Sequence, residues 1–176
     1  ISRLEKRKGH IEIIKSLKQL VKDFPNIKYI IAGEGPEKKN IIKLISKYSL
    51  EQNISLVGLV NESQKEFLFK NSDLMVMPTL DESSKESIEG FGIAYIEAAF
   101  FGIPSIASDV GGTKEAVLHN KTGIIINDMN DLYKSIYDLL INDKKRIKLG
   151  IEAKKRAVES FKWENVTEMY LKDLSI

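Results

Sequence analysis

Ile27-Lys28-Tyr29-Ile30-Ile31-Ala32-Gly33-Glu34-Gly35-Pro36 is a β-branched apolar run that stops at a doubled-glycine turn and then opens into a helix-period stretch. A run this continuous in its apolar character suits a strand covered on both faces, as in a parallel sheet. Pro36 suits a first helical turn, where its missing N–H deprives the helix of no hydrogen bond. The same strand, turn and helix rhythm recurs along the chain. Further strands are expected at Ile54–Val57, Leu74–Met77, Pro104–Ala107 and Gly123–Ile126. Helices are expected at His10–Asp23, Glu37–Tyr48, Ser63–Lys70, Gly92–Phe101, Thr113–Leu118 and Asp131–Ile141. In the first of these Ile11, Ile14, Leu17 and Val21 share one face. Alternation of this kind predicts an α/β fold, a parallel sheet flanked by helices on both faces, with ligands bound at the carboxyl ends of the strands. After Asp143 the strand signals stop, and two extra C-terminal helices are expected at about Lys144–Ser160 and Trp163–Leu174.

Composition bounds the function classes. The 176 residues, 43% hydrophobic and 30% charged, suffice for one globular domain with a full core. A net charge of +2 does not suggest nucleic-acid binding, although Lys6, Arg7 and Lys8 form a local basic cluster. No apolar run has membrane-spanning length, and the absence of cysteine excludes disulfides and thiolate metal sites. That absence fits a reducing compartment.

Three segments carry candidate chemistry. Gly33-Glu34-Gly35-Pro36 sits where a dinucleotide fingerprint would, but Lys38 stands in place of the third glycine, so a plain tight turn is the better reading. Arg3 and Lys8 flank Leu4-Glu5-Lys6-Arg7 just before the first helix. Two cations there can meet both phosphates of a diphosphate, the guanidinium as a fork and the ammonium as a point charge, or they can form an ordinary solvated basic loop. Glu89-Gly90-Phe91-Gly92-Ile93-Ala94-Tyr95-Ile96-Glu97 reads as a glycine turn opening a helix with a carboxylate at each end. The first-turn amides of Ile93 and Ala94 can take a phosphate, and the carboxylates of Glu89 and Glu97 can accept from sugar hydroxyls. The alternative is an acidic-capped helix with Glu97 in solvent. Gly111-Gly112-Thr113 repeats the glycine-to-helix arrangement, either lining the same cleft or making a plain turn.

Taken together these segments resemble the retaining glycosyltransferases of the two-Rossmann-domain type, called group 1 or family 4, and in particular their C-terminal, donor-binding half. Ile1–Gly9 resembles that family's "GRL…KG" segment, Ala32–Pro36 its "GxGP" turn, and Leu56–Val60 with Ser72–Pro78 its "F-x-G-x-V … ADxxVxPS" stretch. Glu89–Glu97 matches its E-x7-E motif, Ala98–Ser108 the continuation of that motif, Val110–Glu115 its "xGGxxE" loop, and Phe161–Val166 its closing "FsWexv" helix.

The resemblance implies that residues 1–176 form a single Rossmann-like nucleotide-sugar-binding domain, the N-terminal acceptor domain lying outside this chain. It implies that Arg3 and Lys8 grip the donor diphosphate and that Glu89 touches the transferred sugar, with the amides of Gly90, Phe91 and Gly92. The amides of Ile93 and Ala94 would meet the phosphate, Glu97 the ribose hydroxyls, and the backbone of Gly58 and Val60, with Lys65, the base. No metal or cofactor is implied. The donor would be a nucleotide-diphospho-sugar and the acceptor a glycan or glycolipid, handled by a metal-independent cytoplasmic transferase of polysaccharide biosynthesis with peripheral membrane association of the full-length enzyme. The fragment alone would bind donor and be largely inactive.

Two departures stand out. Ser2 replaces the usual glycine before the arginine, and Asp81–Ser87 lengthens the loop before Glu89, as in some bacterial mannosyl- and glucosyltransferases. Other classes remain open: a two-Rossmann sugar-nucleotide epimerase or phosphorylase, and a non-catalytic nucleotide-sugar-binding module. A glycoside hydrolase is disfavoured, because its two carboxyl groups must face each other across a bond rather than share one turn-helix segment.

Overall fold

The computed structural model describes residues 1–81, 90–162, 164, 165, 167 and 171. Its strands are β1 (Tyr29–Ala32), β2 (Ile54–Gly58), β3 (Met75–Met77), β4 (Ser105–Ser108) and β5 (Gly123–Ile126). Its α-helices are α1 (His10–Asp23), α2 (Lys38–Lys47), α3 (Glu62–Lys70), α4 (Ile93–Phe100), α5 (Thr113–Ala116), α6 (Leu132–Ile141) and α7 (Asp143–Ser160). The expected elements therefore form, with ends shifted by one or two residues in most cases, and the helix expected at Trp163–Leu174 falls largely outside the described residues. Local chemistry fixes several boundaries. Asn61 caps α3 by accepting from the Gln64 amide while the Gln64 side chain accepts from the Asn61 amide, a reciprocal pair satisfying two otherwise orphaned donors. The Asn142 side chain accepts from the Lys145 amide at the start of α7.

All paired strands run parallel. They do so in two pieces, β1 with β2, and β3 with β4 and β5, rather than as one continuous ladder. The period-2 alternation of the strands builds two cores. On one face Ile106, Ile124 and Ile126 join Ile14 and Leu17 of α1 and Ile136 and Leu139 of α6. On the other, Met75, Met77, Ala107 and Ile125 pack with Tyr95 and Ile96 of α4 and Phe69 of α3. Small residues let α7 approach α4 closely, with Ala99, Ala153 and Ala157 in contact and Gly150 against the Gly102 carbonyl. Helices on both faces leave backbone accessible at the loops on the carboxyl ends of the strands.

Candidate donor site at the carboxyl edge of the sheet

Three loops meet there. The chain opens beside the end of β1: the Ser2 amide donates to the Ala32 carbonyl at 3.0 Å and the Leu4 amide to the Glu34 carbonyl at 2.9 Å. This contact explains the doubled glycine after β1. Gly33 has φ 142°, and a Cβ there would lie 1.9 Å from the Ser2 carbonyl oxygen, while one on Gly35 would lie 2.5 Å from that of Leu4. Such positions admit only glycine. The turn is thus occupied by the protein's own backbone, as a tight turn rather than a phosphate cradle.

From Leu4, which is fully buried, the chain passes through a 3-10 turn, Lys6–Lys8, and reaches Gly9 in the left-handed region. Arg3 is exposed and pairs with Glu5 at 3.1 Å, as does Arg7. Lys8 is buried. The loop after β3 fastens to this turn: the Leu80 amide donates to the Arg7 carbonyl at 2.7 Å, and a Cβ on Gly9 would lie 2.1 Å from the Pro78 carbonyl oxygen. The same loop reaches β4, since Ser108 Oγ donates to the Thr79 carbonyl at 2.7 Å.

Gly92 caps α4 with φ 80°, and no side chain occupies the cap. The first-turn amides of Ile93 and Ala94 therefore have no acceptor within the helix. Tyr95 pins the helix from below, fully buried and donating through its hydroxyl to the Met77 carbonyl at 2.5 Å. A Cβ on Gly92 would lie 2.5 Å from that ring, so glycine is required there twice over, for φ and for space. Gly90 is exposed, and among the described residues nothing lies within 4 Å of where its Cβ would be. Gly112 closes the other wall, where a Cβ would sit 2.0 Å from the Gly90 carbonyl oxygen. Thr113 holds that loop by donating to the Ser108 carbonyl at 2.5 Å.

One turn into α4, Glu97 accepts from Lys65 Nζ of α3 at 2.6 Å, and Lys65 also pairs with Glu62 at 3.0 Å. The hydrogen bond to Glu97, then that to Glu62, holds the Lys65 ammonium above its ordinary pKa. Burial lowers the pKa of the Ile1 amine, whose charge feels both Glu97 and Lys8. Arg3, Lys8, Gly90, Phe91, Gly92, Ile93, Ala94, Glu97 and Lys65 accordingly belong to one edge of the molecule. Gly58, with φ 71°, and Val60 lie at the end of β2 on that edge, Gly58 facing the Glu34 carboxylate that Lys38 holds at 2.7 Å. Glu89 and most of the Asp81–Ser87 loop lie outside the described residues.

Two further residues support the site: Phe161, which opens the closing motif, and Arg156, which the sequence did not single out. Phe161 packs edge-on against Phe91 with ring centroids 5.5 Å apart, and the Arg156 guanidinium lies 4.7 Å from the Phe161 centroid. Arg156 also donates to the Glu115 and Ala116 carbonyls, so α7 braces both glycine loops. Arg156 is one of many cations on α7 and carries no spacing signal. Behind the opening segment, Ser2 Oγ lies 3.1 Å from His10 Nε2, and His10 Nδ1 lies 2.8 Å from the Tyr29 hydroxyl. Burial, with lesser help from the chain's amine and Lys8, drops the His10 pKa to about 4.

Comparison with known proteins places these loops in context. Residues 1–156 match the family described as glycosyl transferases group 1. A GDP-mannose-dependent α-(1-6)-phosphatidylinositol monomannoside mannosyltransferase of Mycolicibacterium smegmatis is 26% identical over 165 residues, covering 93% of this chain and 43% of the relative. A poly(ribitol-phosphate) α-N-acetylglucosaminyltransferase of Staphylococcus aureus is 30% identical over 174 residues, covering 97% of this chain and 34% of the relative. Among solved structures, Anabaena HepE in complex with UDP superposes with a TM-score of 0.85 at 23% identity, over 99% of this chain and 47% of that one, a likeness of fold. A mutant of S. aureus TarM crystallised with UDP gives 0.83 at 29% identity, over 97% and 34%. This chain spans less than half the length of these relatives.

Proposed function

Because this chain belongs to the group 1 glycosyl transferases, we propose that it is the donor-binding domain of a retaining glycosyltransferase, holding a nucleotide-diphospho-sugar whose glycosyl group the whole protein passes to a glycan or glycolipid acceptor. The observation that carries this reading is the convergence of the opening cationic loop and the mouth of α4 on one edge, tied through Pro78–Leu80. UDP in the related HepE and TarM structures supports it.

The roles follow from charge and geometry. A departing nucleoside diphosphate accumulates negative charge in the transition state, and preorganised donors aimed at it lower the barrier. Arg3 and Lys8 supply two positive charges, and the amides of Ile93 and Ala94 add the positive end of the α4 dipole. Arg3 exchanges its exposed pair with Glu5 for the phosphate, a low-cost step because surface pairs contribute little. Glu97 accepts from the ribose hydroxyls through the oxygen that Lys65 leaves open, and Lys65 fixes the rotamer of that carboxylate. Gly90, Phe91 and Gly92 let the backbone approach the sugar, whose hydroxyls Glu89 accepts, and Gly58 and Val60 edge the base. Two side-chain cations and a helix N-terminus already balance the diphosphate, so binding proceeds without a divalent metal.

Calorimetry on this chain with uridine, guanosine and adenosine diphosphates and their monophosphates, in the presence of a chelator, tests the proposal. The expected result is that one diphosphate binds, more tightly than its monophosphate. Equal affinity for the two, or binding only with added magnesium, rejects the assigned roles.

A further inference from the structure

The Gly90-Phe91-Gly92 turn has a single side chain with which to hold itself, that of Phe91. Gly92 is fixed by its φ of 80° and by the Tyr95 ring, whereas Gly90 is exposed and has no Cβ to restrict its backbone. The direction of the amides in this turn is therefore set by where the Phe91 ring docks. That ring meets Phe161 edge-on, with centroids 5.5 Å apart and planes at 63°, and both rings border the core that holds Met77, Tyr95 and Val117.

Phe161 directly follows α7, and its amide donates to the Ala157 carbonyl at 3.0 Å, which ties the ring to the end of that helix. Arg156 lies near the same end. Its guanidinium sits over the Phe161 ring, 4.7 Å from the centroid, and donates through Nη1 to the Ala116 carbonyl at 2.8 Å and through Nη2 to the Glu115 carbonyl at 2.5 Å. Those two carbonyls end α5, where a helix leaves its acceptors without an intrahelical partner. Burial, which lowers the Arg156 pKa, also strengthens the attraction of the cation to the ring. At its other end α5 opens from Gly112, where a Cβ would lie 2.0 Å from the Gly90 carbonyl oxygen and 3.5 Å from Phe91 Cα. The contacts thus close on themselves, from Phe91 to Phe161, to Arg156, to α5, and through Gly112 back to Gly90 and Phe91.

We propose that Arg156 and Phe161 are positioning residues for the transferred sugar, fixing through Phe91 the direction of the amides of Gly90, Phe91 and Gly92 without touching the donor themselves. This rests on the donor-site reading above. In that reading the nucleoside diphosphate is held by Arg3, Lys8, the mouth of α4 and Glu97, and Glu97 is set by Lys65 of α3 rather than by α7. The brace from α7 therefore bears on the sugar and leaves the nucleotide alone. A turn of glycines that is already ordered spares the sugar the entropy of ordering it on binding.

The test is calorimetry on this chain in the presence of a chelator, with UDP against UDP-glucose and UDP-N-acetylglucosamine, and GDP against GDP-mannose. It reads a ratio, the Kd of the nucleotide sugar over that of its own diphosphate. Phe161→Ala is expected to raise that ratio about fivefold, the magnitude of one aromatic pair, while the diphosphate Kd stays within about twofold. Arg156→Met is expected to raise it as well, and Phe161→Tyr, which keeps the ring, to leave it as in the unaltered chain. Where Phe161→Ala lowers the thermal midpoint, Phe161→Leu keeps the apolar volume and loses the ring, and the same rise is expected. An unchanged ratio in the folded variants overturns the proposal. So does a loss of affinity by the same factor for diphosphate and nucleotide sugar, which would give Arg156 and Phe161 a purely structural role. An unaltered chain that binds neither diphosphate removes the donor-site reading and this proposal with it, whereas diphosphate binding with an unchanged ratio removes this proposal alone.

Discussion

Two glycine turns in this molecule have nearly the same sequence signature and opposite fates. Gly33-Glu34-Gly35 follows β1 and Gly90-Phe91-Gly92 precedes α4, each with two glycines one residue apart at a strand-to-helix passage. At the first, the backbone of Ser2 and Leu4 lies where any Cβ would project. At the second, one glycine is spent on the Tyr95 ring and on a left-handed φ, while Gly90 opens to solvent. A doubled glycine therefore marks close approach by something, and only the neighbours tell whether that something is the chain itself or a ligand.

Substitutions can break this comparison. Gly33→Ala forces a side chain into an occupied position at φ 142°, and a loss of about 3 kcal/mol or more in unfolding free energy is expected from urea titration. Unchanged stability there would mean that the opening segment does not hold the first turn. Acid sharpens the contrast. Because the folded pKa of His10 lies at about 4, below its ordinary 6.5, the unfolded chain binds the proton first as pH falls. Stability is then full above pH 6.5, falls between 6.5 and 4, and is lower by about 3 kcal/mol below that. His10→Gln should flatten this limb in urea unfolding followed against pH, and a limb that persists would assign the loss to another group.

At the second turn the larger expected effect is on binding. Glu97→Ala removes an inward carboxylate beside the free amides of α4 and should weaken nucleoside diphosphate binding by about 1–3 kcal/mol in calorimetry. Full affinity in that variant would put the ribose elsewhere. Gly90→Ala, the smallest expected effect, should change unfolding free energy by no more than about 0.5 kcal/mol, since its Cβ would meet none of the described residues. A large loss would show that the two turns do not differ as their surroundings indicate.

Much of the fold was legible because strand and helix periods are local properties. The run from Tyr29 to Ala32 and the one-face spacing of α1 needed no partner to be recognised. The spacing of Glu89 and Glu97 about two glycines was legible for the same reason. The Lys65–Glu97 contact was not legible, because a contact across 32 residues depends on how α3 lies against α4. Arg156 was illegible as a support, being one cation among many, and Phe161, legible as the start of the closing motif, meets Phe91 only once α7 packs across the sheet.

The sequence by itself determined the alternation of parallel strands and helices, which rests on periodicity along the chain, and the resemblance to the family, which rests on the order of its motifs. Only the tertiary structure decided which glycines serve the protein's own backbone, that the cationic loop and the mouth of α4 share an edge, and that the sheet stands in two pieces. Those facts depend on distances between residues far apart in the chain, which burial and backbone hydrogen bonding set only once the whole domain has packed.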